Sequence, residues 1–385
     1  MKHYFLFILL SAAIATGGCT EELQPQTCGT NGTVPDESEL TEAVLNLSVN
    51  AFVVEAQAET RASIPSGTPE KETPEEKEIH NIWVFQYDAA TKELLIKPRY
   101  YTITDQAMLQ DLPVYLKAGV PSVVYVVTNT GYDNWANDGT DASWQKFKQL
   151  EQLKKQTLPT AFPLRSIDKV SIPMAGASEE VEVTTGITVT VPVTRMYAKL
   201  KVKVEMRKAE MELNNVNVRQ IPNICRVETL AGDGKGEPME PVPFPDETTF
   251  SSIAFAASDL EKNEDKEWAV FYVPENLQGE TQTQGGNKSD AAPSNALVVD
   301  ITTEIGGERY LYAAYPGGNS LNNFNIQRNQ VYRITVTITG EKNQNNPSAN
   351  CFVVKPDGFL SFEPYYRVET GGGYNFADYL SPHDE

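Results

Sequence analysis

Cysteine and histidine are the side chains most ready to bind metals or act as nucleophiles and bases. This chain of 385 residues has four of the first and three of the second. His3, His80 and His383 are scattered, which tells against a multi-histidine metal site. Cys19, Cys28, Cys225 and Cys351 lack the close spacing of a zinc site, and they are too sparse for a disulfide-built scaffold. There is no Gly-x-Ser-x-Gly and no His-Glu-x-x-His. The GNKS at 286–289 lacks the glycine spacing of a phosphate loop, and the carboxylate-rich stretch 129–141 lacks the spacing of an EF-hand. Nothing selects one catalytic pair among 52 acidic residues. The residues therefore point to a protein that is not an enzyme and needs no cofactor and no metal.

Two positions carry chemistry of another kind. Lys2 precedes an apolar run at 4–10, then small residues at 11–18, then Cys19. That order matches a bacterial lipoprotein signal, with Cys19 as the lipidated first mature residue, although Thr16 stands where a leucine is usual. An ordinary secretory signal with Cys19 incidental is the alternative. The second position is the Arg61–Ala62 bond, in the Pro-, Ser-, Thr- and Glu-rich stretch 58–78. Such a stretch predicts an exposed loop, and an exposed Arg-Ala bond is an easy protease target.

Composition sets the class. With 32 basic residues and a formal net charge of −20, the chain would repel phosphate, so nucleic acid is excluded as a partner. The charge suits solubility in a salty extracellular medium. Hydrophobic residues make up 40%, enough for real cores, and the length favours two domains.

The elements around those positions read as strands. Residues 187–206 alternate apolar and polar, but the phase inverts. Ile187, Val189, Val191 and Val193 are odd, whereas Met196, Ala198, Leu200, Val202, Val204 and Met206 are even. One flat strand cannot change its burying face. A β-bulge near Thr194–Arg195 would do it, and so would the end of one sandwich and the start of another. The second reading is preferred, because similar lengths of strand-rich sequence flank the break. Lys199, Lys201 and Lys203 are then expected to be exposed.

Just before the Arg61 loop, residues 43–54 alternate likewise, with Ala43, Leu45, Leu47, Val49, Ala51 and Val53 on the apolar face. The near-continuous apolar run 120–131 suggests a strand buried on both faces. Residues 132–155 are the best candidate for a helical insertion, with Trp144, Phe147, Leu150 and Leu153 on one face. The chain is thus expected to be all-β. A signal peptide (1–18) and a tether (19–41) lead into β-sandwiches at 42–193 and 194–340, followed by a strand-bearing tail at 341–385.

Several stretches, in order, resemble the fimbrillins, the pilus subunits of Bacteroidales. They are IWVFQY (82–87), VYVVTN (124–129), RMYAKLKVKVE (195–205), FYVPENLQG (271–279), and FNIQRN (324–329) followed by YRI (332–334). Thr20, Glu21 and Glu22 after Cys19 also resemble the acidic export signal of surface lipoproteins in Bacteroides-type bacteria. The resemblance implies two transthyretin-like β-sandwiches and a lipoprotein at the outer membrane and cell-surface fimbrium. It further implies removal of the first strand by an arginine-specific protease, and polymerisation with other fimbrial subunits by strand insertion. The segments SANCFVV and DGFLSFEPYYRV beyond residue 340 read as strands that a subunit can donate, or as the start of an extra region. The competing class is a glycan-binding surface lipoprotein of a polysaccharide-uptake system, for which Trp135 and Trp144 are the aromatic hints.

Overall fold

Inversion of the alternating phase at Met196 separates two strands that lie in different sheets. The computed structural model of the chain describes residues 40–54, 72–131, 133–136, 140–159, 164–166, 168, 171–207, 209–229, 240–262, 266–281, 292–318, 322–338, 351–353 and 362–368. In the first half the strands are β1 (Leu40–Val49), β2 (Val53–Val54), β3 (Asn81–Asp88), β4 (Arg99–Thr102), β5 (Leu112–Lys117), β6 (Pro121–Thr128), β7 (Thr157–Pro159), β8 (Leu164–Arg165), β9 (Met174–Ala177), β10 (Val181–Glu182) and β11 (Thr188–Arg195). The second half holds β12 (Tyr197–Met206), β13 (Glu212–Pro222), β14 (Ile224–Arg226), β15 (Phe250–Ala256), β16 (Ala269–Pro274), β17 (Val298–Ile305), β18 (Glu308–Ala314), β19 (Gln330–Ile338), β20 (Cys351–Val353) and β21 (Phe362–Val368).

The two halves repeat one topology. Taken in chain order, seven strands of the first half are β1, β3, β4, β5, β6, β9 and β11. Their counterparts are β12, β13, β15, β16, β17, β18 and β19. In each half the last, first and fourth strands form one sheet, β11-β1-β5 and β19-β12-β16. The third, second, fifth and sixth form the other, β4-β3-β6-β9 and β15-β13-β17-β18. In both, the first strand runs parallel to the last and antiparallel to the fourth. These are two tandem transthyretin-like β-sandwiches, and the chain is all-β.

Each sandwich encloses its own apolar core. In the first, Ala43, Leu45, Leu112, Val114, Val189 and Val191 of one sheet meet Ile82, Val84, Val124 and Val126 of the other. In the second, Ala198, Leu200, Phe271 and Ile334 meet Val216, Val218, Val299 and Tyr312. The first sandwich closes along one seam, where Thr194–Arg195 of β11 pair with Ala175 and Met174 of β9. Gly176 permits that seam, since a Cβ there would lie 1.8 Å from the Pro192 carbonyl oxygen.

A third core lies between the sandwiches and accounts for the long apolar runs. Trp83, Phe85, Tyr125 and Val127 show their outer faces to Tyr197, Val270, Tyr272 and Val331 of the second sandwich. Strands β3, β6 and β16 are therefore buried on both faces, which for β6 the near-continuous run at 120–131 anticipates. Phe147, Leu150 and Leu153 of the insertion pack into the same core. The insertion is broken into α1 (Asp141–Gln145) and α2 (Leu150–Lys154) instead of one helix, and Trp144 stays half-buried. Its following strands reach across, β7 pairing with β14 and β8 with β16.

Three local expectations need correction. The first strand ends at Val49, Ala51 is exposed, and Val53–Val54 join the other sandwich beside β19. Lys199 is buried at 5% exposure, because the third core covers the outer face of β12. The end of the expected 58–78 loop is exposed at Pro74, Glu75 and Lys77 but not at Glu76. Thr73 starts a 3₁₀ turn at Pro74–Lys77, and Glu76 is fully buried within it.

Candidate functional site

The strand ahead of the Arg61 loop is internal to its sheet. β1 pairs in parallel with β11, from Val44 opposite Thr188 to Val49 opposite Val193. On its other side it pairs antiparallel with β5, from Leu40 opposite Lys117 to Leu45 opposite Leu112. Ala43 and Leu45 are fully buried and Leu47 is 3% exposed. Val49 packs against the core from a partly exposed position. Burying a side chain of Leu size contributes roughly 1.5–3 kcal/mol, so β1 carries a substantial share of the first core.

Where β1 ends, the chain enters a buried polar cluster. Arg195, the last residue of β11, keeps the odd phase of Val189, Val191 and Val193 and is fully buried. Its Nη1 donates to the Asn50 carbonyl at 2.7 Å and to Asn329 Oδ1 at 3.2 Å. Its Nε donates to the Glu76 carbonyl at 2.9 Å, and its Nη2 lies 2.9 Å from Glu72 Oε1. The Phe52 amide donates to the same Glu72 oxygen at 2.8 Å, while Lys77 Nζ meets Oε2 at 2.6 Å. Asn329 returns a bond from Nδ2 to the Ala51 carbonyl at 2.7 Å. It sits at a φ of 58°, a left-handed conformation that asparagine tolerates.

A second pair completes the cluster. Lys199 Nζ lies 2.7 Å from Glu76 Oε1, and the Tyr272 hydroxyl donates to that oxygen at 2.6 Å. Phe52 fills the space between, with its ring stacked on Tyr272 at 6.5 Å between centroids. Burial alone would raise the Glu72 carboxyl. The hydrogen bond from Lys77, the Phe52 amide and the Arg195 charge outweigh it and hold the group below its ordinary value. Burial lowers Arg195, against the pull of Glu72 and Glu76. Tyr272 is pushed far up by burial and by the adjacent Glu76 carboxylate.

Such a cluster holds segments in place; it offers no nucleophile beside a base. Among the described residues, no group of three or more His, Cys, Asp or Glu is placed to hold a metal ion. The Cys225 thiol is buried beside Met196, and burial pushes it up to about 12, which suppresses thiolate chemistry. Trp135 packs edge-on against Phe85 and Phe147, so it is committed to the third core.

Cys19, Arg61 and Ala62 lie outside the described residues. Ala43, Leu45, Leu47 and Val49 come together in β1, whereas Ala51 and Val53 fall beyond it. Glu72, Glu76, Arg195 and Asn329 form the cluster that reading by alternation misses. Two signals mark it: Thr73-Pro-Glu-Glu76 has capping-box spacing, with the Thr73 amide donating to Glu76 Oε2 at 2.9 Å, and Arg195 occupies a position in phase with valines.

The family model that matches is described as a domain of unknown function, DUF4906, and it covers residues 271–336. No curated protein matches. Among solved structures, the chain is similar to the tip fimbrial protein Mfa3 from Porphyromonas gingivalis with C-terminal truncation. That match has 13% identity and a TM-score of 0.46, over 85% of this chain and 98% of that one. It is also similar to a putative cell adhesion protein from Parabacteroides distasonis, at 13% identity and TM-score 0.48, over 85% and 96%. A putative cell adhesion protein from Bacteroides eggerthii gives 15% and 0.45, over 87% and 97%. These are likenesses to fimbrial and cell adhesion proteins; the two-sandwich fold itself stands on the repeated strand order and the two enclosed cores.

Proposed function

We propose that the chain is a structural subunit of a surface fimbria, exported as a lipoprotein and assembled with other subunits by protease-triggered strand exchange. Its units are the sandwiches at 42–193 and 194–340. The observation that carries the reading is the place of β1. It lies between two neighbours in its sheet, fills the first core with Ala43, Leu45 and Leu47, and precedes the stretch that contains Arg61. Cleavage at Arg61–Ala62 makes the first strand a separate piece. Its loss opens an apolar groove bounded by the unpaired edges of β5 and β11. A strand from a neighbouring subunit, drawn from residues 349–362, fills that groove by β-augmentation. Within one chain, β20 pairs with β19 and β21 with β18, so donation takes β20 from its own sheet.

Cys19 anchors the precursor in the outer membrane, and two acyl chains hold where one is marginal. The test of assembly is Arg61→Ala, followed by gel ladders and electron microscopy. Loss of high-mass polymer is expected; fibres that retain residues 43–54 sink the mechanism. Labelling with an alkyne fatty acid tests the anchor, and equal labelling of wild type and Cys19→Ala rules it out.

A further inference from the structure

Residues 50–54 belong to both sandwiches at once. At one end the Asn50 amide donates to the Val193 carbonyl at 2.9 Å, and Asn50 Nδ2 donates to Thr194 Oγ1 at 2.8 Å, both in the first sandwich. At the other end Val53 and Val54 pair in parallel with Gln330 and Val331 of β19, in the second. Between them, fully buried Phe52 sits in the core that joins the two.

Arg195 gathers these connections. Its guanidinium carbon lies 4.2 Å from the Phe52 ring centroid. Its donors reach Asn50 on the outgoing segment, Glu76 on the returning one, and Asn329 of the second sandwich. We infer that Phe52 and Arg195 form a latch that couples the seating of β1 in the first sandwich to the docking of the two sandwiches on each other.

The physical basis is the cost of leaving buried charge without partners. If residues 50–54 lift away, Arg195 loses the Asn50 carbonyl and the Phe52 ring face. Glu72 loses the Phe52 amide, and Asn329 loses the Ala51 carbonyl. Each group lies in a site where an unmet donor or acceptor is costly. Water must then enter the joining core to solvate them, and that loosens the contact of Tyr197, Tyr272 and Val331 with the first sandwich. Conversely, parting the sandwiches strips β2 from β19 and removes Asn329, which frees the end of β1. The coupling belongs to the folded chain and holds whether or not the protein polymerises.

Hydrogen exchange read by mass spectrometry on the full chain tests this, comparing wild type with Phe52→Ala. Exchange is expected to speed up by about tenfold or more both in β1 and in β19, at opposite ends of the latch, while β13 and β17 in the far sheet stay protected. A rise confined to one sandwich, or no rise beyond residues 50–54, overturns the inference. If Phe52→Ala also loses protection in β13 and β17, Arg195→Lys decides on the same criterion. That variant keeps the charge but cannot supply the forked donors. Two-sided loosening supports the latch, and one-sided or absent loosening overturns it.

Discussion

Glu72 and Arg195, 123 positions apart in the chain, meet as a buried ion pair at 2.9 Å, with side chains 3% and 0% exposed. Breaking a buried pair by removing one partner strands the other. Arg195→Met is therefore expected to destabilise the protein by about 3–5 kcal/mol in denaturant unfolding. Adding Glu72→Gln to that variant should restore part of the loss, because the carboxylate that has lost Arg195 and keeps only Lys77 as a charged partner is gone. A double variant less stable than Arg195→Met alone would contradict the pairing.

The same carboxylate sets a pH dependence. Glu72 is held below its ordinary value of 4.5, so the folded state binds its proton less readily than the unfolded chain does. Its stabilisation is complete above the unfolded value and fades as pH falls through the lower, folded one. Thermal melts should show Glu72→Gln less stable than wild type at pH 7. The gap should narrow once the pH drops below about 4. A gap that stays constant from pH 7 to pH 3 would show that charge is not what Glu72 contributes.

Leu45 is fully buried at the centre of β1, paired with Val189 on one side and Leu112 on the other. Leu45→Ala should cost about 2–5 kcal/mol through lost burial and the cavity left behind. Ala51→Ser, at an exposed position just past the strand, should shift stability by less than about 0.5 kcal/mol. Equal effects at the two sites would mean that β1 extends further than Val49.

Gly176→Ala should be the most disruptive single-methyl change in the first sandwich. The added Cβ would face the Pro192 carbonyl at 1.8 Å, and backbone on both sides of the seam leaves nowhere to move. A loss of about 1–3 kcal/mol or more is expected. Faster amide exchange in β9 and β11 should accompany it, since these two strands close the sandwich there. Wild-type stability in this variant would mean that the seam is looser than the register implies.

Alternation within the chain determined much of this protein by itself. The inverted phase at 187–206 separates β11 from β12, and the alternation from Ala43 marks the inward side chains of β1. The near-continuous apolar run at 120–131 already reports a strand covered on both faces. Period-two patterning carries that information because it records which face of a strand avoids water, and neighbours in sequence are enough to show it. It cannot show what covers the other face, nor which distant groups meet there. Lys199 looks solvent-facing until a second sandwich lies over β12, and Phe52 sits on a wet face until the chain crosses between sheets. Arg195 finds Glu76 119 positions away and Asn50 145 away, and Asn329 reaches Ala51 across 278. Tertiary packing alone decided those partners, because desolvated charges take whatever groups the docked sandwiches bring within hydrogen-bond reach.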